Sequence, residues 1–189
     1  MDNYICIITG PIGAGKSYLC DLLKELGFDV LDADILSNQV LSSKSGQQFL
    51  KENFQDSFTQ GQLNREQLSK IVFSDRNKLD QLENYIHPKV NKMIKNWIES
   101  VDGYGFIEVS VPKVKQEQYK TIVVNAPEEI RIKRLLKRGM EIDDIKRRIS
   151  VQKDNDWWSS LGHNIENINP ESFKENVIDL LKEWDWLVE

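Results

Sequence analysis

Gly10-Pro11-Ile12-Gly13-Ala14-Gly15-Lys16-Ser17 is the stretch that decides the fold, because it has the spacing G-x-x-x-x-G-K-S. Residues 4–8 precede it as a short apolar run rich in β-branched side chains, which predicts a buried parallel strand. Residues 17–26 follow it with leucines at helical spacing, and Gly27 favours a helix end there. A strand, a glycine-rich loop and a helix in this order predict a phosphate-binding loop (P-loop) in an α/β protein.

The residue types of this loop suit the phosphates of a nucleotide. Gly10, Gly13 and Gly15 permit positive φ angles, so several backbone N–H groups can converge on one anion. The N-terminus of the following helix adds partial positive charge. We expect Lys16 to reach the β- and γ-phosphates and the Ser17 hydroxyl to bind Mg²⁺. The alternative is a glycine-rich turn that binds nothing, and the flanking strand and helix argue against it.

The bulk composition limits the possible partners. With 189 residues, 40% of them hydrophobic, the chain can form one α/β unit with a helical insertion. The net charge of −5 argues against a nucleic-acid-binding surface, and no apolar run is long enough to span a membrane. Because the chain leads directly into its first strand, we expect no signal peptide, and these bulk features together suggest a cytoplasmic protein. We expect a monomer or a small homo-oligomer. We expect Cys6 and Cys20 to be buried free thiols.

Two acidic residues follow the second predicted strand. Residues 28–31 predict this strand, and it ends at Asp32-Ala33-Asp34. Ligands of open α/β sheets gather at the carboxyl ends of strands, and both carboxylates would lie on one side if the chain stays extended. One of them could take a proton from an acceptor hydroxyl, and the other could hold a magnesium-bound water. A helix N-cap is the alternative for one acid but does not readily explain both.

Residues 35–100 have a helical pattern. Apolar side chains recur at i, i+3, i+4 spacing in four segments, residues 47–54, 65–73, 76–85 and 89–98. His87-Pro88 should separate the last two, since the residue before a proline avoids the helical region. The block is too long for a simple crossover, so we interpret it as an insertion that covers an acceptor substrate. His87 is either a structural hydrogen bonder or a substrate contact.

Three more strands complete the predicted sheet. Residues 106–111 and 121–124 predict two of them, and residues 164–167 predict an edge strand or a base-contacting loop. On the first, Glu108 is a candidate for ordering Mg²⁺, with an ordinary partly exposed strand acid as the alternative. Pro170 should begin a C-terminal helix.

A basic helix–turn–helix lies between the last two strands. Most of its charges are expected to be solvated, but arginines on both arms are typical of a lid that closes on a transferring phosphoryl group. Arg138 is the preferred phosphate contact, followed by Arg134 and Arg148.

Taken together, these blocks resemble the dephospho-CoA kinase family, and the similarity spans nearly the whole chain. The matching blocks are residues 9–17 (T-G-P-I-G-A-G-K-S), 31–34 (L-D-A-D), 61–65 (G-Q-L-N-R) followed by Leu68, 72–75 (V-F-S-D), 82–83 (L-E), 87–88 (H-P), 111–112 (V-P), the lid residues Arg134, Leu135, Arg138, Arg148, Ile149 and Gln152, and 165–167 (I-E-N).

The resemblance implies ATP-dependent phosphorylation of the ribose 3′-hydroxyl of dephospho-CoA, the last step of CoA biosynthesis. It implies that Asp34 is the catalytic base, assisted by Lys16 and Arg138. The implied nucleotide contacts are Gly10, Ile12, Gly13, Ala14, Gly15, Lys16, Ser17, Tyr18, Arg138 and, near the adenine, Asn167. The implied substrate contacts are Thr9, Asp32, Asp34, Arg65 and His87. Mg²⁺ would be bound by Ser17, with Asp32 acting through a water.

We therefore expect a P-loop NTPase fold with three α/β/α layers and a parallel five-stranded sheet. The nucleotide-binding core would comprise residues 1–35, 101–136 and 156–189, with the acceptor-binding insertion at 36–100 and the lid at 137–155. The chain departs from the family pattern at Tyr18, Asn64, Ser110 and residues 113–116. These departures leave two alternatives open: a kinase for a nucleoside monophosphate or another small acceptor, and a nucleotide-binding protein that has lost catalysis.

Overall fold

The computed structural model describes residues 4–110 and 118–187. The chain forms two compact units, one from Met1–Asp32 together with Val101–Glu189 and the other from Ala33–Ser100. The predictions that fall on residues 111–117, including the Val-Pro pair and segment 113–116, lie outside the described residues.

The described elements alternate between strands and helices in the first unit, whereas the second is mostly helical. In chain order they are β1 (Tyr4–Thr9), α1 (Lys16–Glu25), β2 (Asp29–Asp32), α2 (Ala33–Ser42), α3 (Lys44–Asn53), a 3₁₀ turn (Gln55–Ser57), β3 (Phe58–Thr59), β4 (Gln62–Leu63), α4 (Arg65–Ser74), α5 (Arg76–Ser100), β5 (Tyr104–Glu108), β6 (Lys120–Asn125), α6 (Glu128–Lys137), α7 (Ile142–Ser150), α8 (Asn155–Ser159), β7 (His163–Glu166) and α9 (Pro170–Glu183).

The first unit is built on a parallel sheet with the strand order β2-β5-β1-β6-β7. The predicted five-stranded parallel sheet is confirmed. Strand β1 is central, and the chain passes from it toward β2 on one side, while β6 and β7 extend the sheet on the other. The carboxyl end of β1 is therefore a switch point of strand order, where open α/β sheets bind ligands. The glycine-rich loop follows β1 at this point.

Helices cover both faces of this sheet, so the predicted three-layer arrangement is confirmed. On one face, Ile8 and Phe106 pack in a core with Leu23 of α1 and with residues of α9. On the other face, Val123 of β6 packs against Trp158 of α8. Neighbouring strand residues point to opposite faces, which is why a continuous apolar strand can support both layers.

The second unit has a core of its own. Leu50, Phe54, Leu68, Val72 and Leu82 bring α3, α4 and α5 together. A short antiparallel hairpin of β3 and β4 lies between α3 and α4, and the sequence pattern did not predict it. Its turn has positive φ at both central residues, 52° and 79°, which is the requirement of a type I′ turn; the Gln-Gly pair at residues 60–61 was the available signal.

The predicted helix break at His87-Pro88 is wrong, because α5 runs continuously through Pro88. A proline in a helix removes one backbone hydrogen bond and crowds the carbonyl four residues earlier. Buried Leu82 before the proline and buried Val90 after it anchor both halves of α5. The tertiary contacts therefore override the local preference of the Pro-preceding residue.

The chain between β6 and α9 adds a short helix and an edge strand to the first unit. Helix α8 is capped by Asp154, whose side chain accepts a hydrogen bond from the Trp157 N–H. The predicted edge strand near residues 164–167 is present as β7, paired with β6. Within the described residues, no helix is both long and apolar enough to cross a bilayer.

Candidate active site

The glycine-rich loop joins β1 to α1 through left-handed backbone conformations, as predicted. Gly10, Gly13 and Gly15 have φ angles of 144°, 78° and 110°. A Cβ atom at Gly10 would collide with the carbonyl oxygen of Val124, and one at Gly15 would collide with the side-chain nitrogen of Asn167. Glycine is therefore required at both positions for backbone angle and for space.

The start of α1 supplies groups that can receive an anion. Gly15 is its N-cap and has no side chain to bond the first N–H groups of the helix. The Lys16 Nζ curls back over the loop and donates to the carbonyl oxygens of Gly10 (3.0 Å) and Pro11 (3.5 Å). Ser17 is exposed in the first turn, and the Tyr18 ring packs 5.7 Å from the ring of Phe173.

Arginines of α6 hold the carbonyl side of the loop. Arg134 donates to the Ala14 carbonyl (2.9 Å) and to the backbone and side-chain oxygens of Asn167 (2.9 and 3.0 Å). Buried Arg131 donates to the Ile12 carbonyl at 3.5 Å. Burial, followed by the nearby charge of Arg138, lowers the pKa of Arg134. In this structure Arg134, a sequence candidate for phosphate contact, is bonded to protein oxygens.

Asn167 supports the loop from the end of β7. It is only 3% exposed, and its Nδ2 donates to the Ala14 carbonyl at 3.0 Å while its Oδ1 accepts from Arg134. Its backbone N–H donates to Asn125 at 2.7 Å. The I-E-N block located this residue, but its support of the loop was not foreseen. Contact with an adenine stays a prediction.

The predicted lid region contacts the loop directly through Gln152. Gln152, just after α7, accepts a hydrogen bond from the Ile12 N–H at 3.1 Å, a contact that sequence reasoning missed. Arg148 donates to Asp144 on its own helix at 2.8 Å. Arg138 directly follows α6 and is exposed.

Two acids and a thiol meet where β2 and β5 end. Asp32 is level with Glu108 in the sheet, and the buried Cys20 thiol of α1 donates to Glu108 at 3.2 Å. Burial first, and then the charge of Glu108, raises the pKa of Cys20, so the thiol stays protonated. Cys6 and Cys20 are both buried and free, as predicted.

Thr9, the last residue of β1, is fully buried next to the loop. Within the part of the chain that the structure describes, its Oγ1 has no hydrogen-bond partner. An unpaired buried hydroxyl costs about 1–3 kcal/mol, so this position tolerates a loss of stability. A substrate contact of Thr9 is untested.

Three predicted acceptor residues belong to the second unit. Helix α2 begins at Ala33, so the chain does not stay extended from Asp32 to Asp34 and the assumption that placed them on one side is wrong. Asp34 lies exposed in the first turn of α2, where a negative charge stabilises the helix dipole. Arg65 begins α4 and donates to Asn38 and, at 3.4 Å, to Ser42. His87 lies half-buried within α5.

Comparison with known proteins assigns the family. The sequence model of the dephospho-CoA kinase family matches residues 4–165. The chain belongs to the dephospho-CoA kinase family. A dephospho-CoA kinase of Carboxydothermus hydrogenoformans is 32% identical over 95% of this chain and 93% of the relative. The crystal structure of TT1252 from Thermus thermophilus has a TM-score of 0.91 and 27% identity, covering 97% of this chain and 98% of that one.

The predicted dephospho-CoA kinase family and its enzyme class are thereby confirmed. A dephospho-CoA kinase structure from Campylobacter jejuni, at 22% identity and a TM-score of 0.70, covers 97% of this chain and 98% of its own and supports the fold. The matched residues 4–165 include the P-loop, the second unit and the two basic arms that follow β6.

The residues of the glycine-rich loop suit a nucleotide with Mg²⁺. Three glycines with positive φ lead the chain to the N-terminus of α1, and the exposed Ser17 hydroxyl is a hard oxygen ligand. In the described part of the chain, no three His, Cys, Asp or Glu side chains are arranged to bind a metal by themselves.

Proposed function

We propose that the protein transfers the γ-phosphoryl group of ATP to the ribose 3′-hydroxyl of dephospho-CoA, giving CoA and ADP. The observation that carries this proposal is the glycine cradle ahead of α1, with Lys16 and Ser17 at its end, in a member of this family. The protein would contribute positioning and electrostatic stabilisation, because phosphoryl transfer needs little covalent chemistry from the enzyme.

We propose that ATP binds with its phosphates on the glycine-rich loop and on the first N–H groups of α1. Lys16 would neutralise charge on the β- and γ-phosphates, and the Ser17 hydroxyl would bind Mg²⁺. When bound, Mg²⁺ would supply positive charge that stabilises the transferring phosphoryl group. The adenine would lie near Asn167. The nucleotide-binding core would comprise residues 1–35, 101–136 and 156–189.

For the acceptor, we propose that residues 36–100 bind dephospho-CoA and that Asp34 takes the proton from its 3′-hydroxyl. Asp34 is exposed and follows β2 by two residues, at the edge where α/β sheets bind ligands. Thr9 and Asp32 would help to orient the hydroxyl. Arg65 and His87 are the proposed contacts in the acceptor-binding unit.

Residues 137–155 are the proposed lid. Arg138 is its phosphate-contacting arginine, because it is exposed while Arg134 is already bonded to the loop. Arg148 is held by Asp144 and is a weaker candidate. We further propose a cytoplasmic location and a monomer or small homo-oligomer.

The test is an ADP-release assay with purified protein, ATP and Mg²⁺. We expect turnover that depends on added dephospho-CoA, and product whose new phosphate is on the 3′-oxygen by ³¹P NMR. Nucleoside monophosphates serve as competing acceptors, and Lys16→Ala serves as the inactive control. Turnover with a nucleoside monophosphate but not with dephospho-CoA would reject the acceptor assignment. Absence of turnover with every acceptor would reject the activity.

A further inference from the structure

A polar cleft of about 600 Å³ lies beside the glycine loop, at the carboxyl ends of β6 and β7. Helix α6 and the chain from the end of α7 to α8 form its sides, and Pro11 of the loop also lines it. Small-molecule sites have volumes of about 300–1,000 Å³, so the cleft is large enough for a ligand. Of the described residues proposed to contact ATP, Mg²⁺ or the acceptor, none lines this cleft.

A buried arginine with an unused donor lies in the wall of the cleft. Arg131 is 6% exposed, donates from Nη1 to the Ile12 carbonyl at 3.5 Å, and has its Nη2 3.8 Å from the Glu128 carboxylate. Within the described residues, its Nε has no hydrogen-bond partner. A buried donor of a charged group that lacks an acceptor is unfavourable. An oxygen atom of a ligand that enters the cleft would therefore be stabilised at Arg131.

The other charges of the cleft are mostly negative. Glu128, Asp154 and Glu166 line it and are exposed, and Lys153 is the second base beside Arg131. The Asp154 side chain already caps α8, which leaves Glu128 and Glu166 to face a ligand. Three acids against two bases disfavour a polyanion such as a nucleoside triphosphate, because like charges repel. A ligand with one carboxylate and one ammonium group would complement this arrangement.

The wall of the cleft holds the Ile12 residue of the loop at both of its backbone groups. Arg131 donates to the Ile12 carbonyl, and Gln152 accepts from the Ile12 N–H at 3.1 Å. Both side chains line the cleft. A ligand that fixes Arg131 therefore acts on the backbone of the loop without touching the phosphate-binding N–H groups.

We infer that the cleft is a second small-molecule site, which binds an amino carboxylate with its carboxylate at Arg131 and its ammonium group at Glu128 and Glu166. Binding needs no nucleotide, and only its effect on ATP rests on the proposed function. Because the ligand would hold the guanidinium and with it the Ile12 carbonyl, affinity for ATP should rise. Couplings between two sites are typically about 5- to 150-fold, and we expect about fivefold here.

NMR of the full chain labelled with ¹⁵N tests the site without nucleotide, because it observes the Arg131 Nε–H directly. The probes are 4-aminobutyrate and 6-aminohexanoate, and the matched controls are hexanoate and hexylamine, which each lack one charged group. We expect the Arg131 Nε–H resonance, assigned by its loss in Arg131→Gln, to shift on titration with the amino carboxylates. Hexanoate and hexylamine should bind at least about fivefold more weakly.

Variants separate the cleft from general charge effects. Arg131→Gln and Glu166→Gln should each weaken binding of the amino carboxylates, and Glu166→Gln is an exposed change that serves if Arg131→Gln does not fold. Lys133→Gln is the matched control, since Lys133 is an exposed base on α6 that does not line the cleft. It should keep the affinity of the wild-type protein.

The coupling is measured by isothermal titration of a non-hydrolysable ATP analogue with and without 6-aminohexanoate. The nucleotide must tighten binding of the amino carboxylate by the same factor, because coupling between two sites is reciprocal.

Each part of the inference has its own contrary result. An Arg131 Nε–H resonance that no amino carboxylate shifts would overturn the site. Equal affinities for hexanoate and 6-aminohexanoate, or an unchanged affinity in Glu166→Gln, would overturn the ligand class. An unchanged affinity for the ATP analogue at saturating 6-aminohexanoate would overturn the coupling. A protein that binds no ATP analogue at all would overturn the proposed function and leave the NMR titration as it stands.

Discussion

Arg134 should stabilise the glycine loop rather than contact phosphate, and its replacement by methionine tests this. The guanidinium makes three short hydrogen bonds, of 2.9, 2.9 and 3.0 Å, to oxygens of Ala14 and Asn167. A hydrogen bond from a charged group contributes about 1.5–3 kcal/mol, and bonds from one partly exposed side chain do not add fully. We therefore expect Arg134→Met to lower the free energy of unfolding by about 3 kcal/mol.

A loss of this size is measurable by thermal unfolding. For a chain of 150–250 residues, 1 kcal/mol shifts the melting temperature by about 2–4 °C, so Arg134→Met should melt about 6–12 °C lower. The ATP analogue should also bind more weakly at a temperature where the variant is folded, because the loop has lost its support. Scanning calorimetry and isothermal titration measure the two effects.

Arg138→Met is the matched control. Arg138 is exposed, and its charge disfavours the nearby charge of Arg134, so its removal should change stability by less than about 0.5 kcal/mol. Turnover should fall strongly, because Arg138 is the proposed phosphate contact. If Arg134→Met kept its melting temperature but lost turnover while Arg138→Met kept its turnover, the roles assigned to the two arginines would have to be exchanged.

Three further predictions concern the loop, the acceptor and the thiols. Gly15→Ala, at φ 110° and against the Asn167 side chain, should abolish binding of the ATP analogue by titration and lower the melting temperature. Asp34→Asn should lower kcat about 10²- to 10⁴-fold at unchanged ATP affinity, and full activity would remove it from the base role. Burial raises the pKa values of Cys6 and Cys20 above 9.0, so the unfolded chain releases protons that the folded chain keeps. The stability that these two thiols contribute is complete below about pH 9 and falls above it, by up to about 1.4 kcal/mol per pH unit for each thiol. Urea unfolding above pH 9 should therefore show a shallower fall in the free energy of unfolding for Cys6→Ala than for the unsubstituted protein.

The nucleotide-binding half of the fold was predictable because its signals are local. The strand, the glycine spacing and the helix occupy consecutive residues, and the predicted helix 17–26 differs from the observed Lys16–Glu25 by one residue at each end. The parallel sheet followed from apolar runs separated by helical segments. These features depend on residues close together in sequence, which is what pattern analysis can detect.

The supports of the loop were not predictable from local pattern. Asn167 reaches Ala14 across 153 residues, Arg134 reaches it across 120, and Gln152 reaches Ile12 across 140. The sequence pattern indicated Arg134 as a candidate phosphate contact and Asn167 as an adenine contact, not as supports of the loop. The errors at Pro88 and Asp34 also have physical causes. At Pro88, tertiary packing keeps α5 helical although the residue before a proline disfavours a helix. At Asp34, helix α2 begins where strand alternation indicated an extended chain.

The carbonyl groups that Arg134, Asn167 and Arg131 hold belong to the same peptide units as N–H groups that can bind phosphate. In a trans peptide the C=O and the following N–H point in opposite directions. Arg134 and Asn167 hold the Ala14 carbonyl on one side of the loop, so the Gly15 N–H is turned to the other. Arg131 holds the Ile12 carbonyl in the same way, so the Gly13 N–H is turned to the opposite side. Donors buried behind the loop thus pre-orient its N–H groups for phosphate, and the cost of arranging them is met during folding rather than when ATP binds.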